Sequence, residues 1–160
     1  MTFRTGLGYD VHRTATGRPL LLGGVRIPCQ FGLLGHSDAD VVLHALCDAL
    51  LGAAGLGDIG ELFPDTDPAW RGADSRQLLT AVLARVRAAG FSVSSVDVII
   101  HAERPRLTEH KAAIRESLAG LLGLSPSAVG LKAKTNEGCD AVGRGEALAA
   151  WALVLLTREH

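Results

Sequence analysis

The 160-residue sequence predicts a mixed β-sheet with helices on one of its faces, built as one domain. Three observations carry that expectation. Short strand-like runs interleave with longer runs whose apolar residues recur at i, i+3 and i+4, giving four or five strands and three helices. The first two strand-like runs are separated by a loop of hairpin length, which starts the sheet in the antiparallel sense. No repeat, low-complexity tract or linker divides the chain, and its length suffices to bury a substantial core.

Taken in order, residues 5–12 read as a strand running into a turn, and residues 14–19, with Gly17 and Pro19, as the loop after it. Residues 20–27 make a second short strand that Pro28 closes, since proline cannot donate to a ladder. Ser37 or Asp38 can cap the first helix, where Val41, Val42, Ala45, Leu46, Ala49 and Leu50 keep helical spacing until Gly52 or Gly55. Residues 57–72 are rich in Gly, Asp and Pro; about 16 residues is long for a structureless connection and favours a functional loop. Asp74 or Ser75 caps a second helix, with Leu78, Leu79, Val82, Leu83 and Val86 on one stripe up to Gly90. Val96, Val98 and Ile100 alternate in a strand over 93–102, which Pro105 stops. A third helix spans 108–122 before Gly123, and 129–135 is a further strand candidate. Residues 147–156 fit a helix by propensity and a buried strand by length and apolar continuity.

Composition narrows the function. With 48% hydrophobic and 21% charged residues and a net charge of -1, the chain has the balance of an ordinary globular protein. It carries no basic block for nucleic acid or an anionic membrane surface, and too few aromatics for base-stacking platforms. Cys29, Cys47 and Cys139 are odd in number and lack a CxxC pair, which argues against a disulfide framework or a thiolate zinc site. A reducing cytoplasm is therefore expected. The most apolar run, 147–156, is about half the roughly 20 residues a spanning helix needs, and no signal-peptide core opens the chain.

The chemistry-bearing residues cluster early. GLGYDVHR (6–13) places Asp10 and His12 on one face of a strand, and GHSDADVVLH (35–44) holds His36 and His44 around an acidic run. Two imidazoles and one carboxylate suit a catalytic zinc, which keeps a position open for substrate. A lone DxH is more often a satisfied strand end; the company of His36 and His44 shifts the balance. On the helix, Asp40, His44 and Asp48 stack at i, i+4 and i+8, so either Asp can take the second N–H of a metal-bound His44. Asp58, Asp65 and Asp67 follow in the long loop. In KAKTNEGCDAVGRGE (132–146), Lys132, Lys134, Thr135 and Arg144 suit phosphate oxygens, and Glu137 among them suits magnesium. No GxxxxGK[ST] is present.

Together, GLGYDVHR, LGGVRIP, GLLGHSDADVVLHALCDALLGAAGLGDIGELFPDTDP, GADSRQLL and KAKTNEGCDAVGRGE resemble the 2-C-methyl-D-erythritol 2,4-cyclodiphosphate synthase family, in this order and over nearly the whole chain. The resemblance implies an α+β fold, a mixed sheet backed by three helices, with 147–156 as a strand. It also implies a homotrimer with active sites between subunits. The metal ligands fall on Asp10, His12 and His44 for zinc or another divalent transition metal, and on Glu137 for magnesium or manganese at the substrate diphosphate. His36 and Ser37 fall against substrate phosphate, and Asp58, Ile59 and Gly60 against the erythritol, with Phe63 and Asp65 nearby. Thr135 falls at the diphosphate. Ala102, Pro105, Arg106, Leu107, Lys132, Ala133 and Lys134 fall at the cytosine pocket. The family's central cavity can take isoprenoid diphosphates, with Arg144 and Glu146 near its mouth. The implied reaction cyclises a cytidine diphosphate-linked methylerythritol phosphate and releases CMP. Rival readings are a metal-dependent phosphohydrolase and a non-catalytic binder of isoprenoid diphosphates.

Overall fold

The structure, a computed structural model, describes residues 1–159. A five-stranded sheet has the order β4-β1-β7-β5-β6, with β1 at Thr2–Thr16, β4 at Phe31–Leu33, β5 at Ser92–His101, β6 at Val129–Lys134 and β7 at Ala147–Arg158. Only β5 and β6 run parallel; β1 is antiparallel to both β4 and β7, and β5 is antiparallel to β7. The sheet is therefore mixed, as expected, and residues 147–156 lie in its central strand. Their apolar continuity reflects that position: Leu148, Ala150, Ala152, Val154 and Leu156 are buried against the helices.

The N-terminal hairpin forms differently from the sequence expectation. The strand over 5–12 extends to Thr2–Thr16, and the next run does not pair with it. Residues 20–27 instead split into β2 (Leu20–Leu22) and β3 (Val25–Ile27), a small antiparallel sheet of their own. Gly23 and Gly24, at φ 62 and 78, make the turn between them. Their amides donate to Asp40 at 2.9 and 2.7 Å.

That same carboxylate caps the first helix, α1 (Val41–Ala54), accepting from Val42 and Leu43. Asp40, and neither Ser37 nor Asp38, is thus the cap, and it is fully buried. Gly55 ends the helix in the left-handed conformation. The 57–72 segment is not structureless: it contains α2 (Ile59–Leu62), capped by Asp58, and a 3-10 turn at Pro68–Trp70. Helix α3 (Ser75–Ala88) is capped by Asp74, and α4 (Lys111–Leu122) starts three residues later than its pattern suggests. A one-turn helix, α5 (Asp140–Gly143), escaped the periodicity reading.

Helix α1 lies on β1 and β7, α4 packs on β6, and α3 packs on α1. The approach of α1 to β1 is unusually close because both surfaces are small. A Cβ at Gly6 would stand 2.0 Å from the Ala49 carbonyl oxygen, and one at Gly8 1.9 Å from that of Ala45. Gly6, Gly8, Asp10 and His12 alternate onto this one face. The strand therefore carries Asp10 and His12 directly beneath the start of α1. The opposite sheet face stays apolar and exposed, with Phe3, Leu7, Tyr9, Val11, Trp151 and Leu153. Tyr9 and Trp151 pair across β1 and β7 with ring centroids 4.5 Å apart.

Candidate metal centre and substrate cleft

Helix α1 presents His44 to the two strand residues below it. His12 Nε2 lies 2.8 Å from Asp10 Oδ2, His44 Nδ1 lies 3.1 Å from the same oxygen, and the two ring nitrogens are 3.1 Å apart. These three donor atoms form a nearly equilateral triangle. A tetrahedral ion with bonds of about 2.0–2.1 Å separates its ligands by about 3.3 Å, so the residues fit a divalent cation with small adjustment. The arrangement leaves one side of the triangle open.

The ring orientations are fixed from behind. His12 Nδ1 donates to the Leu34 carbonyl at 2.9 Å, which leaves Nε2 free to face the triangle. His44 Nε2 lies 2.9 Å from Ser75 Oγ and 3.1 Å from Ser37 Oγ. Neither Asp40 nor Asp48 takes that nitrogen, contrary to the expectation from helical spacing. Asp40 is committed to the Gly23–Gly24 turn and the helix cap, and Asp48 accepts from Ile59 N at 2.8 Å. The stack at i, i+4 and i+8 placed side chains on one face but could not reveal a serine arriving from another helix.

Charge in the triangle is set by its own members. Burial works to raise the Asp10 carboxyl, but the hydrogen bonds and charges of His12 and His44 outweigh it and hold Asp10 below the ordinary carboxylate range. Burial likewise works to lower His12, but Asp10 and the Leu34 carbonyl outweigh it and raise the imidazole. A carboxylate kept ionised between two imidazoles is a site ready to exchange bound protons for a cation.

The triangle sits in the wall of a cleft lined also by Gly35, His36, Ser37, Ile59, Gly60, Phe63, Asp65, Trp70 and Leu78. His36 Nε2 is buried there without a hydrogen-bond partner. Phe63 and Trp70 meet edge to face at 4.8 Å and form an apolar wall. Trp70 and Leu78 were not singled out by sequence, because each reads equally well as ordinary core. Asp58 is not among the lining residues; its carboxylate accepts from Glu61 N at 2.9 Å as the α2 cap.

The remaining expected residues lie elsewhere in the chain. Ala102, Pro105, Arg106 and Leu107 follow the end of β5; Lys132, Ala133 and Lys134 end the neighbouring β6, with Thr135 and Glu137 just beyond. None of them lines the cleft. Ala102 and Leu107 are buried, and Ala102 N donates to the Lys134 carbonyl at 2.9 Å, which joins the two segments. Lys132 pairs with Asp97. Glu137 takes a left-handed backbone, φ 51, and accepts from Thr135 Oγ1 at 3.1 Å. Arg144 pairs with Glu146 through two bonds of 2.9 and 3.0 Å, beside Arg13, Ala141 and Ala147. The fold thus divides the expected site into two groups. No helix among the described residues is long and apolar enough to cross a membrane.

The chain is similar to known proteins over nearly its whole length. The family model described as the YgbB family matches residues 3–157. The chain is 58% identical over 156 residues to a 2-C-methyl-D-erythritol 2,4-cyclodiphosphate synthase of Bordetella pertussis, covering 98% of this chain and 96% of that one. It superposes with a TM-score of 0.94 on a bifunctional enzyme from Campylobacter jejuni at 43% identity, covering 99% of this chain and 43% of the larger one. A 2C-methyl-D-erythritol-2,4-cyclodiphosphate synthase in a CDP-bound form matches with a TM-score of 0.89 and 45% identity, over 96% of this chain and 100% of that one. On these matches, and on the fold and cleft described above, the chain belongs to the YgbB family of 2-C-methyl-D-erythritol 2,4-cyclodiphosphate synthases and is an enzyme of that family.

Proposed function

We propose that this chain, acting as one domain over residues 1–160, converts 4-diphosphocytidyl-2-C-methyl-D-erythritol 2-phosphate into 2-C-methyl-D-erythritol 2,4-cyclodiphosphate and CMP. This is a phosphorus–oxygen lyase reaction in the non-mevalonate route to isoprenoid precursors. The observation that carries the reading is the Asp10–His12–His44 triangle in the wall of a cleft shared with His36 and Ser37. The CDP held by a relative supports a cytidine diphosphate-linked substrate.

In this reaction the substrate's own 2-phosphate attacks its β-phosphorus and CMP leaves, so the protein supplies positioning and charge and no nucleophile. Zinc, or another divalent transition metal, at Asp10, His12 and His44, and magnesium or manganese at Glu137, supply positive charge to the diphosphate oxygens when bound. The unpartnered His36 Nε2 gains a partner in a substrate phosphate oxygen, and Ser37 Oγ stands beside it on the same wall. Asp58, Ile59 and Gly60 hold the methylerythritol, with Phe63 and Asp65 closing the cleft around it. Thr135 holds Glu137 toward the diphosphate through the bond between them. Ala102, Pro105, Arg106, Leu107, Lys132, Ala133 and Lys134 receive the cytosine and its ribose phosphate.

The division of these residues into two groups supports a homotrimer in which one copy's cleft meets the neighbour's 102–107 and 132–137 segments. The exposed apolar face of β1 and β7 supports the same assembly, since a patch of this kind marks an interface. Arg13 and Arg144 beside that face suit an isoprenoid diphosphate in the central cavity. The cytoplasm is the proposed location. Phosphorus NMR of the products tests the reading: a cyclic diphosphate with stoichiometric CMP is expected, whereas a linear phosphate product identifies a phosphohydrolase and contradicts it.

A further inference from the structure

We infer that Ser75, backed by Asp38, is a positioning residue for the metal centre, holding the His44 ring so that Nδ1 and not Nε2 faces the cation. The inference rests on the reading of Asp10, His12 and His44 as metal ligands.

The geometry begins at Ser75, the first residue of α3 and fully buried. Its Oγ lies 2.9 Å from His44 Nε2, on the far side of the ring from the triangle. A serine hydroxyl has one proton to give. Here it goes to Asp38: Ser75 Oγ donates to Asp38 Oδ1, and Ser75 N donates to Asp38 Oδ2 at 3.0 Å. Asp38 is itself held by Asp40 N, which donates to Oδ1 at 3.1 Å, and by its own amide donating to the Ala73 carbonyl at 3.0 Å.

With its proton committed to a carboxylate, Ser75 Oγ can only accept from His44. The imidazole must then carry its proton on Nε2, which leaves the Nδ1 lone pair pointing into the triangle. The chain Asp38–Ser75–His44 thereby does for His44 what the Leu34 carbonyl does for His12. Ser37 Oγ, 3.1 Å from the same nitrogen, cannot substitute fully. It already accepts from Ala39 N at 3.2 Å, and its hydroxyl has no carboxylate to fix its direction. Outer partners of ligating histidines typically contribute tenfold to hundredfold in metal affinity.

The test compares zinc binding by the full-length wild type and Ser75→Ala after metal removal, by competition with a chromophoric chelator. The substitution keeps the Ser75 backbone bond to Asp38 and removes only the hydroxyl. The expected result is zinc affinity about 10–100-fold weaker in the variant. Equal zinc affinity in the two proteins overturns the role of Ser75 alone. A wild type that takes up no zinc overturns the metal reading and this role with it. A second measurement needs no variant: in zinc-loaded wild type, the His44 Nε2 proton is expected in the imidazole proton–nitrogen correlation spectrum, protected from solvent exchange. Rapid exchange of that proton, or its appearance on Nδ1, overturns the inference even if Ser75→Ala fails to fold.

Discussion

Gly8 lies so close to the Ala45 carbonyl that a Cβ at position 8 would stand 1.9 Å from it, too near for any L side chain without moving the backbone. The contact adjoins the metal triangle, since Ala45 directly follows His44 and Gly8 lies two residues before Asp10 on the same face of β1. Gly8→Ala is therefore expected to lift α1 from β1, destabilising the chain by about 3 kcal/mol or more. It should also weaken zinc binding, because the ligands sit on the two elements being separated. Chemical denaturation and zinc competition on the same preparation check both effects.

Asp40 offers a stability test with no direct role in chemistry. Its buried carboxylate satisfies the amides of Gly23, Gly24, Val42 and Leu43 together. Asp40→Ala leaves those donors without a partner and is expected to cost about 3 kcal/mol, measured by urea unfolding.

Asp48 links stability to pH. Burial raises its carboxyl above the ordinary value, and the charges of Asp58 and Asp10 add to this, while the Ile59 amide opposes it. A carboxyl raised in the folded state favours folding below its unfolded pKa of about 3.9, and that advantage is lost as pH rises through the folded value. The charged form therefore weighs against the fold at neutral pH. Asp48→Asn, which can still accept from Ile59, is expected to melt above the wild type at pH 7, with the gap closing as pH falls toward about 4. Calorimetric Tm values across that range check the sign.

Glu137 and His44 should separate by metal content. Glu137→Ala is expected to lose turnover while keeping its zinc, whereas His44→Ala is expected to lose zinc and turnover together with the assembly intact. Elemental analysis, CMP release and sedimentation distinguish the two variants.

Much of this was legible in the sequence because strong local signals coincide with function. Asp10 and His12 follow glycines on a strand of plain alternation, and the helix bearing His44 is marked by its apolar stripe and by Gly55. What escaped was non-local. The Gly23–Gly24 turn looked like a strand interior because Leu22 and Val25 flank it with β-forming residues, and only Asp40, some sixteen residues on, makes that turn favourable. Ser75 read as a helix cap, since nothing near it in sequence signals His44. The division of the site into two groups was invisible to local pattern, because it depends on which strand ends the sheet order β7-β5-β6 brings to one edge.

The proposed reaction rests on a site completed between copies of the chain, and co-expression of His44→Ala and Glu137→Ala subunits tests that most directly. Each mixed trimer would join one intact cleft to one intact 132–137 segment at one of its interfaces. Recovery to about a quarter of wild-type CMP release is expected from an equal mixture, although each variant alone is inactive. A mixture as inactive as its separate components would contradict a site shared between subunits.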